Sequence, residues 1–146
     1  MKLSTKGRYG VRLMLDLALH REEVPITLKE ISKRQGISEK YLWHLITPLK
    51  TAGLIQSIRG SKGGYALAKS LSEISLKQIV NVLEGSLSLV ECVEKPSLCT
   101  RSNACVARDV WKDVADKIST TLESITLKDI VESHRIKSGG SFTYHI

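Results

Sequence analysis

The side chains best suited to chemistry in this sequence are three cysteines within fourteen residues: Cys92, Cys99 and Cys105. Their odd number argues against a disulfide framework and favours metal binding or redox chemistry. Thiolates are soft ligands that select zinc, copper(I) or iron-sulfur clusters over hard cations. Intervals of six and five residues suit a loop wrapped around a cluster better than the Cys-x2-Cys pairs of structural zinc sites. On spacing alone, buried apolar thiols and redox-active thiols remain open as alternatives.

A second group of polar and aromatic side chains follows a turn between two predicted helices. Thr27 and Glu30 have the spacing of a capping box, which predicts a helix from about Leu28 to Gln35. Gly36 allows a sharp turn, and Ser38 can cap a second helix that ends before Gly53. The apolar stripe of this second helix is Leu42, Leu45, Ile46 and Leu49. The pattern predicts a helix-turn-helix.

The second helix of such a motif presents its N-terminal residues to base edges in the major groove of DNA. Lys40 can donate to a guanine or a phosphate, and Ser38 and Tyr41 can bond backbone oxygens. A core position for Tyr41 is the structural alternative. The predicted DNA-reading residues of this helix are Ser38, Glu39, Lys40, Tyr41, Trp43 and His44.

A glycine-rich hairpin comes directly after the helix-turn-helix and predicts a wing. Residues 54–58 alternate apolar and polar, and residues 65–67 can pair back onto them across the loop of residues 60–64. Arg59, Gly60 and Lys62 lie at the tip, where an arginine suits a narrow minor groove. A solvated charged hairpin is the alternative. The loop lacks the Gly-Lys-Ser/Thr ending of a phosphate-binding loop, so nucleotide binding is disfavoured.

The positive charge of the chain is confined to its first half. The net charge is +7, and residues 1–74 carry 13 basic and 6 acidic side chains whereas residues 75–146 carry nine of each. Basic clusters gain binding free energy by releasing counterions from phosphates. One half of the chain is therefore expected to meet a polyanion, and the other half to do something else.

The remaining elements suggest how these groups are positioned. Apolar residues at helical spacing predict a first helix that Ser4 or Thr5 can cap, and Ser75 caps another helix that ends at Gly85. A long irregular stretch holds the cysteines, and a helix of about twenty residues follows it to Ser124. The apolar surface of this helix winds around its axis, which favours dimerisation over a single contact within one chain.

We therefore predict a mainly α fold: a winged helix-turn-helix domain with a small β-hairpin wing, plus a long C-terminal dimerisation helix. Residues 1–74 form the DNA-binding domain, residues 75–134 the cysteine loop and dimerisation helices, and residues 135–146 a flexible tail. The chain shows no signal peptide and no apolar run long enough to span a membrane, so we expect a cytoplasmic protein without membrane contact.

Taken together, these segments resemble the IscR-type family of bacterial regulators over nearly all of residues 1–134. The likeness is carried by LSTKGRYGVRLMLDLAL, ISKRQGISEKYLWHL, RGSKGGYAL and the three cysteines followed by VWKDV and ITLKDIV. The resemblance implies a homodimer that binds a roughly palindromic double-stranded DNA operator. It also implies a [2Fe-2S] cluster ligated by Cys92, Cys99 and Cys105.

The sequence departs from this family pattern at two positions. Three residues after the last cysteine the pattern has a histidine ligand, but this chain has Arg108, which stays protonated. Other members use an acidic residue of the partner's first helix, where this chain has Arg8 and Arg12. The fourth ligand stays open among Glu94, Asp109, a histidine and a small thiol. In the recognition helix, Trp43 replaces a glutamate, so sequence preference should differ.

The expected function is a repressor that senses iron-sulfur status and controls genes of iron-sulfur cluster biogenesis. The alternative within the same family is a repressor that responds to nitric oxide, redox state or cysteine metabolism. An enzyme is not expected, because the four histidines, His20, His44, His134 and His145, are scattered and suggest no base beside a cysteine nucleophile.

Overall fold

The structure is a computed structural model that describes residues 2–143. Residues 144–146, His145 among them, lie outside the described part of the chain. Single 3-10 turns connect several of the elements. The helices and strands are, in chain order, α1 (Thr5–Leu19), α2 (Leu28–Gln35), α3 (Glu39–Thr51), β1 (Ile55–Ile58), β2 (Gly64–Leu67), α4 (Leu76–Glu84), the one-turn α5 (Glu91–Glu94), α6 (Val106–Ser124) and α7 (Leu127–Thr143).

Local capping signals determine the helix-turn-helix formed by α2 and α3. Thr27 Oγ1 accepts a hydrogen bond from the Glu30 amide at 3.2 Å, and Glu30 Oε2 accepts one from the Thr27 amide at 2.7 Å. Gly36 ends α2 with a φ of +66°, a conformation that favours glycine. The Ser38 hydroxyl then caps α3 by accepting from the Tyr41 amide. This part of the fold is as predicted.

The wing is an antiparallel pair in which Ile55 faces Leu67 and Ile58 faces Gly64. A third segment adds to it, because Ile26 and Tyr65 exchange both backbone hydrogen bonds, at 3.0 and 2.7 Å. A Cβ atom on Gly64 would lie 2.5 Å from the Ile26 carbonyl oxygen, so only glycine fits at this crossing. The wing is thus tied to the segment that precedes α2.

The hydrophobic core extends beyond the predicted domain boundary at residue 74. Leu13 and Leu17 of α1 pack in one cluster with the buried face of α3, and Ile79 and Leu83 of α4 belong to the same cluster. Two residues of α7 complete it: Leu127 and Val131. The predicted DNA-binding domain therefore depends on residues from the C-terminal half of the chain.

Glu84, at the end of α4, caps the start of α1. One carboxylate oxygen, Oε1, accepts from the Ser4 amide at 2.9 Å, the Ser4 hydroxyl at 2.5 Å and the Gly7 amide at 3.0 Å. The Ser4 hydroxyl donates to Glu84 and makes no cap bond of its own, which differs from the predicted Ser4 or Thr5 cap. These bonds, with the Ser4 side chain the largest contribution, lower the pKa of Glu84.

The last helix is longer than predicted. Residues 135–146 are predicted to form a flexible tail, but residues 135–143 continue α7 as far as Thr143, and residues 144–146 lie outside the described part of the chain. The segment contains no proline, and a glycine inside a helix costs only about 1 kcal/mol, so the glycine pair does not end the helix. Backbone pairing between Ser75 and Thr126 fixes the start of α7 beside the start of α4.

Candidate nucleic-acid interface and cysteine segment

The recognition helix α3 has one buried face and one free face. The apolar stripe, with Leu42 and Leu45 among its members, is fully buried in the core. The opposite face carries polar and aromatic side chains, and 52% of the Trp43 surface is exposed. Five of the six predicted DNA-reading residues of this helix are exposed, namely Ser38, Glu39, Lys40, Trp43 and His44.

Tyr41, the sixth, lies partly in the core. Its ring meets the Tyr9 ring of α1 edge to face, with 5.8 Å between the centroids and an interplanar angle of 83°. The aromatic pair joins the first turn of α3 to the second turn of α1. The predicted alternative, a core position for Tyr41, is therefore correct only in part. The ring packs against the core, but the residue is not fully buried.

A buried carboxylate holds α1 against the helix-turn-helix. Asp16 is only 1% exposed, and its two oxygens accept from Arg34 Nη2 at 2.7 Å and Arg34 Nε at 3.0 Å. Gln35 Nε2 donates to the same carboxylate at 2.9 Å. The hydrogen bond to Asp16 raises the pKa of Arg34, so the guanidinium keeps its charge. Sequence reasoning missed this contact, although a lone acid among the apolar residues of α1 was a signal for it.

The wing tip is free of protein partners. Arg59, Gly60 and Lys62 are exposed, and neither charged side chain bonds another side chain within residues 2–143. Gly60 has a φ of +121°, and its carbonyl accepts from the Gly63 amide at 3.0 Å to close the turn. The tip therefore presents two cations to solvent.

The cysteine segment, residues 86–105, is built from single turns. Cys92 lies in α5 and is half-buried, Cys99 is exposed, and Cys105 occupies the N-cap of α6. All three are free thiols. Among the residues that the structure describes, no three cysteine, histidine or acidic side chains lie close enough together to hold a metal ion. The donor types suit a soft metal, but the thiols are not gathered here.

Arg108 links the first and third cysteines. Its Nε donates to the Cys92 carbonyl at 2.9 Å, and its backbone N–H donates to the Cys105 sulfur at 3.4 Å. The side chain is 17% exposed and lies near Asp109, with 3.9 Å between the charged atoms. The residue at the position of the expected histidine thus fastens the segment to α6.

The long helix α6 buries none of its residues within this chain. Its apolar side chains are exposed instead, 74% for Val106 and 51% for Val110. An open groove of 860 Å³ lies between the start of α1, α4 and α6, with Leu3, Val80, Leu89, Trp111 and Ile118 in its walls. An apolar surface this continuous on a small protein is typical of an interaction site. No helix between residues 2 and 143 combines the length and the hydrophobicity needed to cross a bilayer.

A family model described as an iron-dependent transcriptional regulator, Rrf2, matches residues 3–133. The chain is 39% identical over 136 residues to the HTH-type transcriptional regulator IscR of Pectobacterium atrosepticum and 40% identical over 136 residues to that of Yersinia pestis. Each alignment covers 93% of this chain and 82% of the relative.

Solved structures of other regulators are similar to this chain in sequence and in fold. CymR, the global cysteine regulator of B. subtilis, is 39% identical with a TM-score of 0.75, over 91% of this chain and 98% of CymR. T. potens IscR is 43% identical with a TM-score of 0.74, over 92% of this chain and 88% of that one. The predicted mainly α fold with a hairpin wing is therefore confirmed.

Proposed function

Because the chain belongs to the Rrf2 family of iron-dependent transcriptional regulators, we propose that it is a homodimeric repressor that reports iron-sulfur status through a [2Fe-2S] cluster held by Cys92, Cys99 and Cys105. Its relatives are transcriptional regulators, so the chain is a DNA-binding regulator and not an enzyme. The IscR-like members among those relatives suggest the genes of iron-sulfur cluster biogenesis as its targets.

The observation that carries the DNA-binding half of the proposal is the free face of α3 next to the free wing tip. Lys40, Trp43 and His44 project from a helix whose other face is anchored in the core. Arg59 and Lys62 lie at the wing tip, and neither has an acidic partner among residues 2–143. These positions support a docking mode in which α3 lies in the major groove and an arginine of the wing enters the minor groove.

The apolar face of α6 supports the homodimer. None of the residues of α6 is fully buried in its own chain, so Val106, Val110 and Trp111 forgo part of the about 1.5–3 kcal/mol that full burial of a large apolar side chain contributes. A second copy that crosses at α6 would recover it, and two recognition helices would then read two half-sites of one operator. The predicted palindrome follows from this two-fold symmetry.

The cysteine segment supports the sensing half by its donor set. An iron-sulfur cluster, when bound, would make the state of the protein depend on the cellular supply of iron and sulfide. Cys92, Cys99 and Cys105 would provide three thiolates, and Arg108, which donates to the Cys92 carbonyl and to the Cys105 sulfur, would hold the segment in place without being a ligand. Since the thiols are not gathered in the described residues, ligation requires the single-turn elements of residues 86–105 to rearrange.

The test is an anaerobic absorption spectrum with iron and sulfide analysis of freshly purified protein, compared with Cys92→Ala. For the wild-type protein we expect charge-transfer bands and close to two irons per chain. Both should be lost in Cys92→Ala, because the bands depend on thiolate ligation. Operator affinity that is unchanged by removal of the cluster would overturn the sensing role.

The alternative is a repressor that responds to nitric oxide, redox state or cysteine metabolism. It is favoured by Arg108 at the position of the fourth ligand, by the exposure of Cys99 and by the likeness to the cysteine regulator CymR. A colourless, iron-free protein that still binds DNA would support a thiol-based mechanism. Four irons per chain would instead support a nitric-oxide sensor with a larger cluster.

A further inference from the structure

Trp43 is the largest apolar side chain on the free face of α3, and just over half of its surface is exposed. Lys40 lies one helical turn before it and Thr47 one turn after it, and both of these side chains are exposed as well. A large apolar ring is therefore placed among polar side chains in the middle of the proposed DNA-reading surface.

The chemistry that Trp43 offers to a partner is restricted by its neighbours. The indole meets the ring of His44 edge to face, with 5.6 Å between the centroids and an interplanar angle of 73°. Its nitrogen carries the only polar hydrogen of the side chain and donates to no residue among residues 2–143. Trp43 thus presents an apolar ring and one hydrogen-bond donor, and its side chain has no acceptor.

The proposed dimer does not account for the exposure of Trp43. The elements that pack against α3 are α1, α2, α4 and β1, whereas α6 packs against α4 and α5. The apolar groove beside α6 takes its walls from other parts of the chain, and Trp43 is not among the residues that line it. A second copy that pairs through α6 and this groove therefore covers other residues.

The bases of DNA differ in how well they match such a side chain. In the major groove thymine presents a C5-methyl group beside the O4 acceptor, so it alone offers an apolar group to the indole ring. Cytosine and adenine present amino groups there. The indole has no acceptor for these donors, and they would lose their water without gaining a partner. Thymine is therefore the base that fits Trp43 best.

We propose that Trp43 is a specificity-determining residue that reads the C5-methyl group of one thymine in each half-site of the operator. The methyl group packs against the indole ring when α3 enters the major groove. This inference rests on the proposed DNA-binding function, and it names the base at which α3 distinguishes one operator sequence from another.

The test removes single methyl groups from the DNA. A duplex is selected from a random pool by the wild-type protein, and each of its thymines is replaced in turn by deoxyuridine, which lacks only the C5-methyl group. Fluorescence anisotropy gives the Kd of each duplex. For the wild type we expect about fourfold weaker binding after replacement of one thymine in a half-site, the factor that corresponds to burial of one methyl group. Trp43→Ala should bind the thymine and the deoxyuridine duplexes equally.

Two further variants separate a methyl contact from a general loss of affinity. Trp43→Phe keeps an aromatic ring and should retain most of the sensitivity to deoxyuridine. Lys40→Ala removes a neighbouring cation and should weaken binding to both duplexes by the same factor, so the fourfold ratio between them is kept. Circular dichroism verifies that each variant is folded.

The outcomes distinguish the two proposals. Wild-type binding to the selected duplex, with no thymine at which deoxyuridine weakens it, would overturn this inference alone and would direct Trp43 to the sugar-phosphate backbone or to a protein partner. A loss at one thymine that is equally large for Trp43→Ala would also overturn it, because another residue would then read the methyl group. Failure of the wild-type protein to bind any duplex of the pool would overturn the proposed function, and this inference with it.

Discussion

The helix-turn-helix and the cysteine-bearing region are stabilised in opposite ways. In the first, α3 is anchored by buried leucines, and α2 is fixed by a capping box and by the Asp16–Arg34 ion pair. In the second, α6 buries no residue and the cysteine segment is a series of single turns. The proposed DNA-reading face is therefore held in place by contacts within one chain, whereas we propose that the other region is completed by what binds to it.

This difference separates two kinds of stability in one small protein. Contacts within the chain hold the recognition surface in a single arrangement, as a reader of fixed groove dimensions requires. A region with few buried apolar contacts opens at low free-energy cost, and regulatory elements are drawn from such regions. Three predictions test the contrast.

The largest expected effect is on the stability of the anchored region. Leu45→Ala removes a fully buried side chain and should lower the free energy of unfolding by about 3 kcal/mol, since it leaves a cavity behind the recognition helix. Val106→Ala, at a residue that is 74% exposed within one chain, should change the free energy of unfolding of the monomer by less than about 0.5 kcal/mol. Urea denaturation at several protein concentrations measures both. Equal losses of the free energy of unfolding in the two variants would mean that the two regions do not differ in how they are stabilised.

The next effect is on the proposed dimerisation through α6. Val110→Asp places a charge on the apolar face of α6 and should raise the dissociation constant of the homodimer at least about tenfold, because an unpaired carboxylate would be buried at the interface. Lys112→Asp puts the same side chain on the opposite side of the helix and is the matched control. Sedimentation equilibrium gives both constants. A wild-type monomer at micromolar concentration would refute the dimer.

The smallest effect is expected where the two regions meet, at Glu84. Glu84→Gln keeps the shape but loses the charge that caps α1, and should cost about 0.5–1 kcal/mol at neutral pH. Since the pKa of Glu84 is lowered by folding, its stabilisation is present above the ordinary carboxyl pKa and is lost as the pH falls through the folded value.

Thermal unfolding from pH 7 down to pH 3 checks this linkage. The difference between the wild type and Glu84→Gln should shrink as the solution becomes acidic. Glu132→Gln, at an exposed position, should follow the wild type throughout. A difference that is constant over the whole range would show that the carboxylate charge at Glu84 contributes nothing.

Local signals carried most of the sequence-based prediction. The capping box at Thr27, the Ser38 cap and the positive-φ position of Gly36 depend on neighbours within three residues, so α2 and α3 were predicted almost to the residue. Contacts across many residues were not predictable in this way. Asp16 meets Arg34 eighteen positions away, and Ser4 meets Glu84 eighty positions away, and no local pattern encodes either pair.

The candidate site shows the same difference between features that local patterns predict and contacts that they do not. The exposure of Lys40, Trp43 and Arg59 could be predicted because an amphipathic helix and a glycine hairpin determine which side faces solvent. The second role of Arg108, a donor to the Cys92 carbonyl, depends on how a segment without regular structure folds back. The cluster ligands and the palindromic operator stay predictions.

The closing of the core by α7 has a consequence for how the protein is made. Leu127 and Val131 pack in the same cluster as Leu13 and Leu17, so the core that supports α3 stays incomplete until Val131 has been synthesised. The cysteines emerge from the ribosome earlier. A nascent chain can therefore expose its thiols to solvent before the core that supports α3 is complete.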